Sequence, residues 1–258
     1  AGMYRLAVLA ALVAGGGAFV PARPVSVPAR RLASSTVDDK VEVREYFNTA
    51  GFERWNKIYS DSDEVNKVQL DIRTGHDQTV DKVLEWADEL GVKGKTVCDA
   101  GCGVGSLALP LARLGARIQG SDISEAMTAE AARRAKAEGI RGAKFFPSDL
   151  EALTGRFDIV TCMDVMIHYP TDKMEGMVSH LASLSKEHLV VSFAPKTPWF
   201  VVLKKIGELF PGPSKTTRAY LHEEASVRRA VRDAGFEVVG DSFVGTSFYF
   251  SKTLFCKR

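Results

Sequence analysis

Three acids and a cluster of glycines are the residues of this chain best placed to do chemistry. Asp99-Ala-Gly101-Cys102-Gly103-Val-Gly105 follows a strand-like Thr96-Val-Cys-Asp and opens a helix. Glycines in such a turn let the backbone approach a ligand closely, and the helix N-terminus presents free N–H groups. Asp122 ends the next strand-like segment, where an acid accepts hydrogen bonds from ribose hydroxyls. Asp149 follows the third, in Ser148-Asp149-Leu150. A dinucleotide turn of the form G-x-G-x-x-G requires glycine at 106, where this chain has Ser106, so a nicotinamide oxidoreductase is disfavoured. A pyrophosphate is also poorly served by the Asp99 carboxylate at the mouth of the turn, whereas a cation suits it. Acids after strands one, two and three, with no phosphate-binding lysine, describe a cleft for a positively charged nucleoside. S-adenosylmethionine fits, with its amino group, ribose and adenine facing the three acids in turn. The expected contacts are Asp99, Gly101, Cys102, Gly103, Asp122, Ile123, Asp149, Leu150 and Met163.

Other chemistries are excluded by detail. Gly94-Lys95-Thr96 mimics the tail of a phosphate loop, but the first glycine would fall on Glu89, and the segment precedes a strand instead of following one. After the fourth strand stands Asp164-Val-Met-Ile-His168-Tyr-Pro170, not the Asp/Asn-Pro-Pro-aromatic sequence of enzymes that methylate amino groups of nucleic acids. No Gly-x-Ser-x-Gly elbow occurs. The four cysteines, Cys98, Cys102, Cys162 and Cys256, have no zinc spacing, so no bound metal is expected. Cys98 and Cys102 flank the glycine turn and leave a redox-sensitive pair open, with buried reduced thiols the favoured reading.

The elements that hold these residues read as alternating strands and helices. Val43, Tyr46, Phe47, Phe52, Trp55 and Ile58 predict two short aromatic-rich helices over 41–58, broken at Gly51. A helix is expected over 79–90, ended by Gly91. Strands around 96–99, 117–122, 144–146, 157–163 and 189–193 are separated by helices over 107–114, 125–136 and 174–184, which implies a parallel, doubly wound sheet. The pattern then changes. Trp199 to Phe210 reads as an apolar helix, 211–218 as a loop, 224–234 as a helix, and 236–239 and 246–255 as the last strands.

At 258 residues, 45% hydrophobic and 26% charged, the chain can bury a core, and a net charge of +2 disfavours a nucleic-acid partner. The charge is uneven: no acid precedes Asp38, while Arg5, Arg23, Arg30 and Arg31 are basic. Residues 1–36 are read as a targeting leader outside the fold. Leu6 to Val20 is too short for a membrane span and reads as the apolar core of a secretory signal. The Arg-, Ser- and Pro-rich stretch after Phe19 has the composition of a transit peptide. Together they resemble the bipartite leader of algae whose plastids arose by secondary endosymbiosis. A simple secretory signal with a Pro-rich linker is the alternative. The remaining chain divides into an N-terminal arm at 37–76 and a body at 77–258 with an insertion at about 197–220.

Four segments carry a family resemblance. They are Tyr46-Phe-Asn-Thr-Ala-Gly-Phe-Glu-Arg-Trp-Asn-Lys-Ile-Tyr59, Cys98-Asp-Ala-Gly-Cys-Gly103, Asp164 to Pro170, and Phe210-Pro-Gly-Pro-Ser-Lys-Thr-Thr-Arg-Ala-Tyr220. From about Val41 to the C-terminus the chain resembles magnesium-protoporphyrin IX O-methyltransferases of chlorophyll biosynthesis. The glycine motif belongs to all class I methyltransferases, whereas the first and last segments are specific to this family. The resemblance implies an α/β, Rossmann-like fold with a mostly parallel seven-stranded sheet, an N-terminal helical arm and a lid insertion. It implies esterification of one propionate of magnesium protoporphyrin IX by S-adenosylmethionine in a plastid, with Tyr59 and His168 as catalytic residues. It also implies contact with the large magnesium-chelatase subunit. In the insertion, apolar side chains are expected on the macrocycle and Lys215 or Arg218 on a propionate; the same apolar helix equally suits peripheral contact with a thylakoid or envelope membrane. Two alternatives remain: a class I methyltransferase acting on another apolar carboxylate or a quinone, and a non-catalytic porphyrin-binding partner of the chelatase.

Overall fold

The computed structural model describes residues 36–60, 63–197 and 220–258. The leader, the apolar 199–210 segment, Lys215 and Arg218 lie outside the described residues. Helices α1 (Thr36–Asn48) and α2 (Ala50–Ile58) form the arm and lead into the long α3 (Lys67–Leu90). The sheet and its crossovers follow as β1 (Thr96–Ala100), α4 (Ala108–Arg113), β2 (Arg117–Asp122), α5 (Glu125–Ala137), β3 (Ala143–Pro147), β4 (Phe157–Cys162), α6 (Thr171–Leu184), β5 (Ser185–Phe193), α7 (Glu224–Asp233), β6 (Glu237–Gly245) and β7 (Phe250–Lys257). Short 3-10 turns sit at Leu150–Ala152 and Met166–His168.

These strands make one seven-stranded sheet in the order β3-β2-β1-β4-β5-β7-β6. The first five are parallel. β7 runs antiparallel between β5 and β6, pairing Val190 with Phe255 on one side and Leu254 with Asp241 on the other. Successive strand residues serve opposite faces, so a parallel sheet covered on both sides is apolar throughout. Cys98, Ala100, Val160 and Leu189 join Val178, Leu181 and Val227 from α6 and α7 on one face. Val97, Ile118, Ile159 and Val190 join Val80, Val83 and Leu111 from α3 and α4 on the other. All four cysteines are buried and free. Among the described residues no helix is long and apolar enough to cross a membrane.

Several boundaries differ from the sequence expectation. α3 begins at Lys67, not near residue 79, because Asn66 and Gln69 form a reciprocal capping box there. Its first half buries Ile72, Gly75 and His76, which lack the apolar periodicity that marks its second half. It therefore runs unbroken across the boundary expected at 76/77. The break between α1 and α2 falls at Thr49, and Gly51 lies inside α2. A Cβ at Gly51 would stand 2.6 Å from Tyr46 O, so this glycine permits a close helix contact. Residues 246–249 form the β6–β7 turn, not the start of a strand: Asp71 of α3 accepts hydrogen bonds from the Phe248 N–H (2.7 Å) and the Thr246 hydroxyl (2.6 Å).

Candidate active site

The C-terminal ends of β1, β2 and β4 open into a cleft of about 390 Å³ that the arm helices roof over. At its floor, Gly101 N–H and Cys102 N–H both donate to Ser121 O (2.7 and 2.8 Å), tying the glycine turn to the end of β2. Gly101 has φ of +81°, and a Cβ there would lie 2.1 Å from Val165 Cγ2, so only glycine fits. At Gly103 (φ +51°) nothing lies within 4 Å of the Cβ position, which leaves open space beside the backbone. Asp122 Oδ2 accepts the Gly103 N–H (3.0 Å) and Oδ1 the Ser124 N–H (2.9 Å). This acid thus also shapes the turn it serves.

Asp99 is 2% exposed and accepts the Thr161 hydroxyl at 2.7 Å. Burial pushes its carboxyl up to about 6, with the Asp122 charge adding to the rise and the Thr161 hydrogen bond opposing it. At neutral pH it is a buried, poorly compensated anion, the environment that a ligand ammonium relieves. Asp122 is likewise pushed up by burial. Asp149 behaves differently. Its Oδ1 caps the Glu151 N–H (3.0 Å), its Oδ2 meets Lys40 Nζ (2.9 Å), and it does not line the cleft. Its neighbours Ser148, Leu150 and Glu151 do, as do Ile123 and Met163.

Tyr59, at the end of α2, and His168, in the turn after β4, both line the cleft. Burial pushes the His168 imidazole down to about 4, the Asp164 charge opposing the fall, so the ring is neutral at physiological pH. Its Nδ1 is buried without a partner, and Phe47 packs against its ring edge-on at 5.4 Å. Burial holds the Tyr59 phenol protonated, aided by the Asp164 and Asp77 charges.

Two arginines set the position of Tyr59 by capping the C-terminus of α2, where carbonyls lack helical partners. Arg134 donates to Tyr59 O and to Asn56 Oδ1, both at 2.7 Å, and is held by the mostly buried Glu130 at 3.0 Å. Arg73 donates to Ile58 O (2.6 Å) and Lys57 O (2.9 Å). α1 is tied down by Lys40 to Asp149 and Glu151, and by Asn48, whose side chain accepts the Ala126 N–H (3.2 Å). The two ends of the insertion are pinned beside His168: His222 N–H donates to Ala194 O (2.9 Å) and Tyr220 N–H to Ile167 O (2.8 Å).

A second polar cluster escaped sequence reasoning. Asp164, with φ of +56°, accepts hydrogen bonds from His76 Nδ1 (2.9 Å), the Tyr249 hydroxyl (2.9 Å) and Ser192 Oγ (3.2 Å). Burial would raise this carboxyl, but those hydrogen bonds and the His76 ring together hold it below its ordinary value. No local pattern joins residues 76, 164, 192 and 249. The only signal was the acid that begins the Asp164-to-Pro170 segment; His76 lay ahead of the helix expected over 79–90.

Comparison with known proteins agrees with this geometry. A model described as "Magnesium-protoporphyrin IX methyltransferase C-terminus" matches residues 162–258, and a methyltransferase-domain model matches residues 97–188. The chain is 51% identical to the chloroplastic magnesium protoporphyrin IX methyltransferase of Arabidopsis thaliana, over 95% of this chain and 81% of that one. It is 52% identical to the magnesium-protoporphyrin O-methyltransferase of Synechocystis sp., over 86% and 98%. A crystal structure of the magnesium protoporphyrin IX methyltransferase from Synechocystis PCC 6803 with bound SAH superposes with a TM-score of 0.79 at 50% identity, covering 85% of this chain and 99% of that one. With a glycine turn and acids at the strand ends, and these relatives matched over 81–99% of their length, the chain belongs to the magnesium-protoporphyrin IX methyltransferase family.

Proposed function

We propose that this chain transfers the methyl group of S-adenosylmethionine to a propionate carboxylate of magnesium protoporphyrin IX, forming a monomethyl ester for chlorophyll synthesis. The observation that carries the reading is one continuous cleft. It joins a buried anion suited to an ammonium, Asp99, to an aromatic-roofed end lined by Tyr59, Phe47, Trp55 and His168.

The donor residues fit S-adenosylmethionine, which supplies an electrophilic methyl on a sulfonium. Asp99 would hold the amino group. Asp122, whose oxygens each keep a lone pair beyond the Gly103 and Ser124 contacts, would hold the ribose. Gly101, Cys102 and Gly103 leave room along the backbone, and Ile123, Leu150 and Met163 supply apolar walls. Asp149 is proposed at the adenine end through a rearrangement of Lys40, since its oxygens are engaged.

A propionate, with an ordinary pKa of about 4–5, is already ionised at pH 7, so no general base is required. Its attack on a sulfonium cancels two charges, and water slows such a step by stabilising both. The protein's work is alignment and exclusion of water. Tyr59, kept protonated, and the neutral His168 would donate hydrogen bonds to the oxygen that does not attack. Neutral donors orient the carboxylate without stabilising it as strongly as a full cation would. The insertion leaves and rejoins the body beside His168, the position from which a lid would close. Its apolar residues are proposed to cover the macrocycle, and Lys215 or Arg218 to reach a propionate.

A plastid location follows from the resemblance of the leader and from the chloroplastic name of the Arabidopsis relative. Contact with the large magnesium-chelatase subunit, and peripheral contact of the 199–210 segment with a thylakoid or envelope membrane, complete the proposal. The test is transfer of a labelled methyl group into a base-labile ester, comparing magnesium protoporphyrin IX with metal-free protoporphyrin. Transfer that favours the magnesium porphyrin is expected. Retained binding of S-adenosylhomocysteine with no transfer to either would overturn the acceptor.

A further inference from the structure

Two imidazoles line the cleft, and they are built differently. His168 has no carboxylate hydrogen-bonded to its ring. His76 does: its Nδ1 lies 2.9 Å from Asp164 Oδ2, while its Nε2 is buried with no protein partner. The His76 residue is 7% exposed and lines the cleft, with the Tyr59 ring 4.2 Å away, centroid to centroid.

The surroundings show that this arrangement is constructed. Gly75 sits inside α3, where glycine costs about 1 kcal/mol relative to alanine. A Cβ there would lie 2.4 Å from Tyr249 Cδ1, so the glycine admits the Tyr249 ring against the helix. Tyr249 in turn reaches both Asp164 (2.9 Å) and Thr79 Oγ1 (3.0 Å). Asp164 holds a left-handed backbone conformation that few non-glycine residues adopt, its N–H fixed on Ser192 Oγ at 2.8 Å. Such strain persists only where several contacts over-determine it, and it concentrates at functional sites.

We infer that His76, held by Asp164, is a catalytic residue of the acceptor end that donates from Nε2 to the propionate carboxylate of the porphyrin, with Asp164 as its positioning residue. This rests on the porphyrin reading above. A substrate carboxylate entering this cleft meets two acids, the half-buried Asp164 on the turn after β4 and the buried Asp99 on β1, with the Tyr59 ring against His76 and the Tyr249 hydroxyl on Asp164. Without a proton between them, substrate and Asp164 would repel. The His76 ring, donating through Nδ1 to Asp164 and through Nε2 to the propionate, would stand between the two carboxylates and give the substrate a direction.

The test compares binding of magnesium protoporphyrin IX and its dimethyl ester, followed by porphyrin absorbance, in wild type, His76→Asn and His76→Gln. S-adenosylhomocysteine affinity is measured alongside. Asparagine keeps a donor toward Asp164 and removes the one at Nε2; glutamine places an amide near Nε2. We expect the preference of the wild type for the diacid over the diester to fall about tenfold or more in His76→Asn. Glutamine should recover part of it, and affinities for the diester and S-adenosylhomocysteine should stay within threefold. Equal losses for diacid and diester, or an unchanged preference in both variants, would overturn the inference. If His76→Asn does not fold, His76→Gln is read alone, and equal losses of affinity for diacid and diester overturn the inference. Failure of the wild type to methylate the diacid would instead sink the porphyrin reading, and this inference with it.

Discussion

Replacing Asp99 by asparagine should make the ligand-free protein harder to melt while weakening its hold on S-adenosylhomocysteine. The Asp99 carboxyl, with an ordinary value of 3.8, stands at about 6 in the folded chain because it is buried. At about 1.4 kcal/mol per tenfold, keeping it ionised at pH 7 costs the fold roughly 3 kcal/mol relative to the unfolded chain. Asparagine has nearly the same shape and still accepts the Thr161 hydroxyl, but it buries an amide N–H₂ that costs about 1–2 kcal/mol if unpaired. The expected net gain is about 1.5 kcal/mol, or roughly 3–6 °C in melting temperature for a chain of this size. The folded state holds the proton more tightly than the unfolded chain, so the wild type recovers stability as pH falls from about 6 towards 4, and the gap to the variant closes over that window. Loss of the charge-assisted bond to the ligand's ammonium should weaken binding by about 2–3 kcal/mol, roughly 30- to 150-fold. Thermal melting at pH 7.5 and pH 5, with calorimetric titration of S-adenosylhomocysteine, reads both effects. A variant that melts below wild type at pH 7.5 and binds within threefold would refute the reasoning.

Gly101→Ala forces a Cβ onto Val165 at a positive φ, and should cost at least about 2 kcal/mol and abolish S-adenosylhomocysteine binding, seen by thermal shift with and without ligand. Arg134→Met removes the cap from Tyr59 O and Asn56, so kcat/KM for the porphyrin should fall about tenfold while S-adenosylhomocysteine affinity changes less than twofold. For His168, pushed from 6.5 down to about 4 by burial, stability is lost as pH falls through that interval, because the unfolded chain takes the proton first. Urea unfolding should show His168→Phe losing about 2 kcal/mol less than wild type between pH 7 and pH 5.

The sheet was legible because its strands announce themselves locally. Runs such as Phe157-Asp-Ile-Val-Thr-Cys are largely apolar on both faces, and the glycine turn at 101–105 directly follows β1. The floor of the cleft was legible for the same reason: Gly101, Gly103 and Asp122 lie at strand ends whose order fixes their proximity. Asp149 shows the limit. Its place after β3 was correct, but Lys40 and the Glu151 N–H occupy its oxygens, and neither partner is implied by position. The first half of α3 was missed because its buried face carries Ile72, Gly75 and His76 towards the cleft, with no run of apolar residues at helical spacing. His76 and Asp164 were invisible as a pair, since 88 residues of chain separate them and only the fold brings them to 2.9 Å.

The placement of β7 has a consequence for how the enzyme comes into being. β5 and β6 are not neighbours; β7 lies between them. Tyr249 and Ser251, at the head of that strand, supply hydrogen bonds to Asp164. The acceptor end is therefore finished by residues that follow all the other strands in chain order, and contacts between distant parts of a chain form late and slowly. A nascent chain can assemble β1 to β5 and the glycine turn while still unable to orient His76. Competence for methyl-donor binding should precede competence for catalysis, so a chain stopped before Phe250 would bind the nucleoside at best and turn over nothing.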